Sequence, residues 1–232
     1  MIIQNTYYKY RISYLTKGGT TLEFKKTFIS ETVPYDKDTD IIVEGPVHPD
    51  ELRNMTFDEG LNSFRVSKEQ FEAIIEIAEL PEGRIIIARI DQHIIGYTTY
   101  LYPDPLERWS DGNLPYILEL GAIELSLGYR KYGLGKKMLQ LAMKAPEMED
   151  FIVITTEYYW HWDLKNSGLD VYQYQKIMHK MMAEGGLEVF ATDDPEIISH
   201  PANSLMARIG QNIQQEQMEA FDKLRFMNRF FF

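Results

Sequence analysis

Apolar positions fall into two alternating periods along the chain, and the periods mark out its elements. Lys68–Leu80 sets Phe71, Ile74, Ile75, Ile77 and Ala78 at helical spacing, which predicts a helix with Ser67 as its cap. Arg84–Ile90 and His93–Leu101 flank a short Asp91-Gln92 turn and predict a β-hairpin. A further strand is expected over about Ile117–Leu127. Beyond Gly133, Leu134, Met138, Leu141, Ala142 and Ala145 share one helical face that stops at Pro146. Phe151–Glu157 is a continuous apolar run, the pattern of a buried strand. Asp170 then caps a helix whose apolar face is Val171, Tyr174, Ile177, Met178, Met181 and Met182, closed by Gly185-Gly186. Leu187–Thr192 reads as a strand. Two more helices are expected, one from Pro201 to Gly210 and one from Gln214 to Arg229 carrying Met218, Phe221, Leu224 and Met227.

The first part of the chain is less regular. Tyr8–Leu15 and Thr20–Ile29 form a candidate hairpin around Gly18-Gly19, and Asp36–Asp40 is a polar loop. Ile41–Glu44 is a short strand ended by Gly45-Pro46, and His48–Met55 a helical turn with Pro49 near its start. Tyr102–Asn113 and the aromatic stretch Tyr158–Gly168 are loops. No repeat or separating linker stands out. The reading is an arm over residues 1–40, a core over 41–193 and a helical extension over 194–232 packed on that core.

Composition narrows the function. The chain has 232 residues, 44% of them apolar, enough for a sizeable core. Its net charge of -11 argues against a broad surface for nucleic acid or anionic membrane. The absence of cysteine excludes a thiol nucleophile, disulfides and thiolate metal sites. The first residues show neither a basic segment nor an apolar one, and no run of about 18 apolar residues occurs, so a soluble cytoplasmic protein is expected.

Against this acidic background one stretch reverses sign. Between Glu119 and Lys137 an apolar strand enters a glycine turn and then a helix, with Arg130, Lys131, Lys136 and Lys137 close together and no acid among them. Helix-start amides, glycines that permit close approach and adjacent cations make an anion site, suited to the pyrophosphate of a nucleotide-type cofactor. The dinucleotide fingerprint fails because no third glycine follows Gly133-Leu134-Gly135, and the P-loop pattern fails because Lys137 follows Gly135-Lys136 where Ser or Thr is required. What remains is Arg130-Lys-Tyr-Gly133-Leu-Gly135 between a strand and a helix.

That string resembles the acyl-CoA signature of the GNAT acetyltransferase superfamily, and the order hairpin, long strand, signature, helix, strand, helix, strand resembles its fold. Longer strings are similar to the acetoin utilisation protein A family: Val43-Glu-Gly-Pro46, Leu80-Pro-Glu-Gly-Arg-Ile-Ile-Ile-Ala-Arg89, Leu101-Tyr-Pro-Asp-Pro-Leu-Glu-Arg-Trp109, Glu119-Leu-Gly-Ala-Ile-Glu124, Ile154-Thr-Thr-Glu-Tyr-Tyr-Trp-His-Trp-Asp-Leu-Lys165 and Ala191-Thr-Asp-Asp-Pro-Glu-Ile197. The similarity runs from Ile41 onward and leaves residues 1–40 outside it. It implies an α+β fold, a mixed central sheet flanked by helices with added C-terminal helices. It also implies a protein lysine acetyltransferase that uses acetyl-CoA and modifies, and so inactivates, acetyl-CoA synthetase.

The resemblance assigns the pyrophosphate to Arg130, Lys131, Tyr132, Gly133, Leu134, Gly135 and Lys136, and the pantetheine arm to Ile123, Glu124 and Leu125. Acetyl transfer to an amine also needs a base. In several family members that base stands eleven residues before the first signature residue, which here is Glu119. Glu124 is the second candidate; its odd offset from Glu119 puts the two on opposite faces of a regular strand unless Gly121 introduces a bulge. Tyr172 and Tyr174 are candidates for protonating the leaving thiolate, with a core role as the alternative for Tyr174. Direct transfer in a ternary complex is expected. His161 with Asp163, and Asp193, Asp194, Glu196 and His200, match no common metal pattern, so no metal is expected, and Asp194-Pro195 reads as a helix start. The aromatic run from Tyr158 to Trp162 reads as loop packing. Phe230–Phe232 reads as docked on the domain, with self-association in a homo-oligomer or a partner contact as the alternative. The rival functions are a small-molecule amine acetyltransferase on the same fold and a non-catalytic acyl-CoA-sensing or partner-binding module.

Overall fold

The computed structural model describes residues 9–15 and 21–227. Its strands are β1 (Lys9–Leu15), β2 (Thr21–Thr27), β3 (Ile29–Pro34), β4 (Asp40–Gly45), β5 (Thr56–Phe57), β6 (Arg84–Ile90), β7 (His93–Leu101), β8 (Ile117–Leu125), β9 (Ile152–Glu157), β10 (Glu188–Phe190) and β11 (Ser204–Ile209). Its helices are α1 (Pro49–Leu52), α2 (Ser67–Glu79), α3 (Leu134–Ala142), α4 (Leu164–Ser167), α5 (Val171–Ala183), α6 (Pro195–Ile198) and α7 (Gln215–Arg225). The chain divides into two compact units that interleave in sequence. One holds residues up to Tyr102 with Leu120–Met148, and the other holds Pro103–Glu119 with Glu149 onward. Strand β8 passes from the second unit to the first after Glu119.

In the first unit the strand order is β3-β4-β6-β7-β8, with the short β5 parallel to β7. The β6–β7 hairpin forms as predicted, with a register shift at Ala88/Arg89. Arg84 to Ala88 are all buried, as in a strand covered on both faces, and α2 and α3 both pack on β6. Phe28, Leu52, Leu61, Ile74, Ile85, Ile87, Ile94 and Tyr97 make a core cluster against which Ala122 of β8 packs. The face predicted for α3 is the buried one: Leu134 and Met138 are fully enclosed, and Leu141, Ala142 and Ala145 nearly so. β1 and β2 pair antiparallel, Lys9 opposite Thr27 through Leu15 opposite Thr21; the Gly18-Gly19 tip lies outside the described residues.

In the second unit β9 pairs parallel with the start of β8, Ile117, Leu118 and Glu119 facing Ile152, Val153 and Ile154. β11 lies antiparallel between β9 and β10. Trp109, Ile117, Ile152, Ile154, Leu205, Ala207, Phe221 and Leu224 form the core of this unit.

Several expectations are corrected. Pro201–Gly210 is not a helix: Ser204–Ile209 is strand β11, and the extension after residue 194 therefore includes a strand. Leu, Met, Ala and Arg favour helices, yet four buried residues held between two neighbouring strands outweigh that preference. Within the predicted arm over residues 1–40, Ile29–Pro34 forms strand β3, which pairs with β4. Ser67 is the first residue of α2, not its cap; Val66 holds that position, and the Ser67 hydroxyl donates to the Asp58 carbonyl at 3.1 Å. Asp170 does cap α5, through a capping box with Gln173; of the predicted apolar face Met182 is buried, Val171, Tyr174, Met178 and Met181 are partly buried, and Ile177 alone stands exposed, at 51%. Helix α7 ends at Arg225, and Phe230–Phe232 lies outside the described residues. Among the described residues no helix is long and apolar enough to cross a membrane.

Candidate functional site

The glycine turn is built by local geometry. After β8, residues Leu127–Tyr132 wind into a 3-10 turn. Gly133 then adopts a left-handed conformation, φ 69°, and α3 starts at Leu134. An L side chain resists that φ, so the turn needs glycine there, although open space surrounds the position. Leu134, Gly135 and Lys136 form the first turn of α3, where backbone N–H groups have no acceptor within the helix and the helix dipole favours an anion. Arg130 is exposed, and its Nε donates to the Leu125 carbonyl at 3.3 Å, tying the turn to the end of β8. Lys131 sits over the Tyr132 ring at 5.3 Å, and Tyr35 packs against Tyr129 and Tyr132. Lys137 departs from the four-cation reading. It pairs with Glu31 at 2.6 Å, where Lys144 also binds. Burial pushes the Glu31 carboxyl up, but hydrogen bonds from both lysines outweigh it and hold the group below its usual range.

The strand residues assigned to the cofactor, Ile123, Glu124 and Leu125, lead straight into this turn. Glu124 is buried and both of its oxygens are engaged. Oε1 accepts from the Ser63 amide and Oε2 from the Tyr97 hydroxyl, each at 2.8 Å. Burial and the adjacent Glu124 charge push the Tyr97 phenol far above its ordinary value, so it stays a neutral donor. Next to it, Asp58 Oδ1 accepts from the Ser126 hydroxyl at 2.7 Å and the Gly60 amide at 2.8 Å, while Oδ2 meets His93 Nε2 at 3.1 Å. Burial raises Asp58, but these hydrogen bonds prevail and its carboxyl lies below the usual range. Residues 58–63 are thus latched to the end of β8 by two carboxylates. This arrangement fits Glu124 as an anchor.

Glu119 belongs to the second unit and has a different setting. Even-numbered Leu118, Leu120 and Glu124 are buried along β8, whereas Glu119 is only partly covered and Gly121 is exposed. Gly121 is not among the glycines with left-handed φ. Burial, with the negative charges of Glu107 and Asp104, raises the Glu119 carboxyl to about 7. Glu107 is itself raised, by burial and then by Asp104, Glu196 and Asp194. A carboxylate poised near neutrality can take a proton from an amine.

Tyr174 lies on α5, half-buried, its ring stacked on Trp162 at 5.3 Å. Trp162 Nε1 donates to Glu157 at 3.0 Å, and burial raises that glutamate. Tyr172 is 49% exposed and stacks near His200. Asp194 caps α6 as expected, accepting from the Glu196 and Ile197 amides. The sequence reading missed Ser63, Tyr97, Asp58 and Glu107, whose partners are long-range; only the recurrence of Glu107 inside a family-like string offered a hint.

Comparison with known proteins identifies the family. The acetyltransferase (GNAT) family matches over residues 50–158. The acetoin utilization protein AcuA of Bacillus licheniformis is 55% identical over 211 residues, covering 91% of this chain and all of the relative. The AcuA protein of Bacillus subtilis strain 168 is 54% identical over the same span. A solved acetoin utilization protein from Exiguobacterium sibiricum superposes with a TM-score of 0.85 at 55% identity, covering 89% of this chain and 98% of that one. The chain belongs to the AcuA family of acetoin utilization proteins and is an N-acetyltransferase of the GNAT family.

Proposed function

We propose that the protein transfers the acetyl group of acetyl-CoA to the side-chain amine of a protein lysine, with acetyl-CoA synthetase as the target that is thereby inactivated. The observation that carries the mechanism is the place of Glu119, partly buried on the strand that leads into the Gly133 turn, where burial raises its carboxyl to about 7. Lysine amines are protonated at neutral pH, with an ordinary pKa of about 10.4. Glu119 accepts that proton, and the freed amine attacks the thioester carbonyl carbon. The tetrahedral adduct collapses, the C–S bond breaks, and the CoA thiolate leaves and takes up a proton. Tyr174 is the candidate donor, and no covalent enzyme intermediate is required.

The turn residues Arg130 to Lys136 fit a pyrophosphate by their cations and their helix-start amides. Ile123, Glu124 and Leu125 would offer backbone to the pantetheine arm, with Glu124's side chain serving as an anchor rather than as the base. The choice of acetyl-CoA synthetase rests on what the family resemblance of the sequence strings implies. Incubation with acetyl-CoA and purified acetyl-CoA synthetase, followed by mass spectrometry of its lysines, tests it. Acetylated lysine with loss of synthetase activity is expected. Unmodified synthetase together with rapid acetylation of polyamines would instead support a small-molecule amine acetyltransferase.

A further inference from the structure

The aromatic stretch after β9 is only in part loop packing. Tyr158 stacks on Trp160 with ring centres 4.7 Å apart, and Tyr159 meets the Trp160 ring edge-on at 5.3 Å. Tyr159 also lies 4.2 Å from the His200 ring, and His200 stacks near Tyr172 at 6.4 Å. These rings come from three segments of the second unit and form one continuous run. Its outer members are open to solvent: Trp160 and Tyr172 are each 49% exposed, and Ile198, close to His200 in sequence, is 64% exposed. Aromatic surface left in water rather than folded into a core marks an interaction site.

The three segments are fixed to one another by polar contacts. The Tyr159 amide donates to Asn203 Oδ1 at 3.1 Å, and Asn203 Nδ2 donates to the Glu196 carbonyl at 3.0 Å. Gln175 Nε2 on α5 donates to the Pro201 and Ala202 carbonyls at 3.1 and 3.0 Å, and the Ala202 amide donates to His200 Nδ1 at 3.1 Å. The rings are therefore displayed on a rigid frame, which lowers the ordering cost of binding. Their setting is acidic. Asp163, Asp170 and Glu196 flank the rings in sequence, Asp194 is paired with Arg108, and Lys165 is the one lysine or arginine in residues 158–170 and 194–203. The second unit also carries most of the chain's excess of acids over bases. Ring faces among carboxylates attract cations, and the same charge opposes docking of a second copy of this acidic chain.

The rings also stand at a defined distance from Glu119. Glu119 is in register with Ile154 on β9, and Tyr158 continues that strand in extended conformation. At about 3.3 Å per residue, Tyr158 lies about 13 Å along the strand from Ile154. The same rise in an extended acceptor chain brings a residue about four positions from a lysine at Glu119 to the rings. We propose that Tyr159, Trp160, Tyr172 and His200 form a docking surface for basic residues flanking the acceptor lysine, so that the protein selects a lysine set in a cationic segment. This rests on the reading of the protein as a lysine acetyltransferase with Glu119 as base, and it names the kind of acceptor that reading requires.

The test uses the full chain, saturating acetyl-CoA and two synthetic peptides with a single acceptor lysine. One peptide carries arginines about four positions to either side of the lysine, and the other carries glutamines at the same places. Binding without turnover is read by quenching of tryptophan fluorescence, assigned to Trp160 through Trp160→Phe. In the parent, kcat/KM should favour the arginine peptide by about tenfold, through KM, as expected for a few cation–π contacts. In Trp160→Ala the preference should fall to about twofold, with kcat, acetyl-CoA affinity and acetylation of butylamine unchanged, while Trp160→Phe, which keeps a ring face, should retain most of it. Equal kcat/KM for the two peptides in the parent, or an undiminished preference in Trp160→Ala, overturns the proposal. So does a Trp160→Ala variant whose main change is weaker self-association in sedimentation, which would assign the rings to a second copy. An arginine peptide that quenches the parent's fluorescence but is not acetylated, while butylamine is, overturns instead the lysine acetyltransferase reading and keeps the surface as a basic-peptide site.

Discussion

Replacing Glu124 by alanine separates an anchor from a base. Two donors, the Ser63 amide and the Tyr97 hydroxyl, each reach one Glu124 oxygen at 2.8 Å in a buried setting. Hydrogen bonds to a charged group contribute about 1.5–3 kcal/mol each, and a donor left buried without an acceptor costs about 1–3 kcal/mol. Such terms do not add fully, because the two donors share one carboxylate. The expected destabilisation is therefore about 3 kcal/mol, which for a chain of this size lowers Tm by about 6–12 °C. Urea denaturation at pH 7.5, with an unchanged m-value, measures it. Acetyl-CoA binding should weaken too, since residues 58–63 lose one of their two ties to the end of β8 and keep only that of Asp58 to Ser126. At temperatures where the variant is folded, its kcat should retain the same acid limb as the parent. A stability change below about 1 kcal/mol, combined with loss of that limb, would refute the anchor reading and return Glu124 to the role of base.

Two further outcomes test other parts of the account. Lys26 is 5% exposed, caps α2 by donating to the Leu80 carbonyl at 2.9 Å, and is lowered to about 8 by burial and by Arg84. The unfolded chain keeps this proton up to about pH 10.4 while the folded one releases it near 8, so stability should rise with pH across that window; Lys26→Met should remove this rise in urea melts, and an unchanged slope would contradict it. Gly133 has φ 69° and free space around its missing side chain, so Gly133→Ala should cost about 1 kcal/mol from the backbone alone and weaken acetyl-CoA binding, whereas Gly133→Asn should be milder; calorimetric titration with acetyl-CoA and thermal melts check both.

The parts of the fold that could be read from sequence are those whose signal is local. The β6–β7 hairpin, the α3 face and the capping box at Asp170 each depend on residues a few positions apart. Strand β11 could not be read this way. With neighbours on both edges and its first four residues buried, it shows no period-two alternation, and its residue types favour a helix. The face of α5 misled in the opposite sense, because Ile177 has helical spacing yet stands exposed. Of the site, the turn was visible because glycine at a left-handed position and a cluster of cations leave a sequence mark. The Glu124 latch was not, since its partners lie 27 and 61 residues away. The pairing of Arg108 with Asp193 and Asp194 spans about 85 residues, which no spacing rule encodes.

The central claim is that Glu119 removes the proton from the acceptor amine. The most direct measurement is the pH dependence of kcat/KM for acetylation of acetyl-CoA synthetase by the parent and by Glu119→Gln, with acetyl-CoA affinity measured alongside. The parent rate should rise with pH through a midpoint near 7, because the deprotonated carboxylate is the active form. Glu119→Gln should bind acetyl-CoA with parent-like affinity, lose on the order of 10²–10⁴-fold in kcat, and show no inflection near 7. A variant that retains both the rate and the inflection would contradict the account.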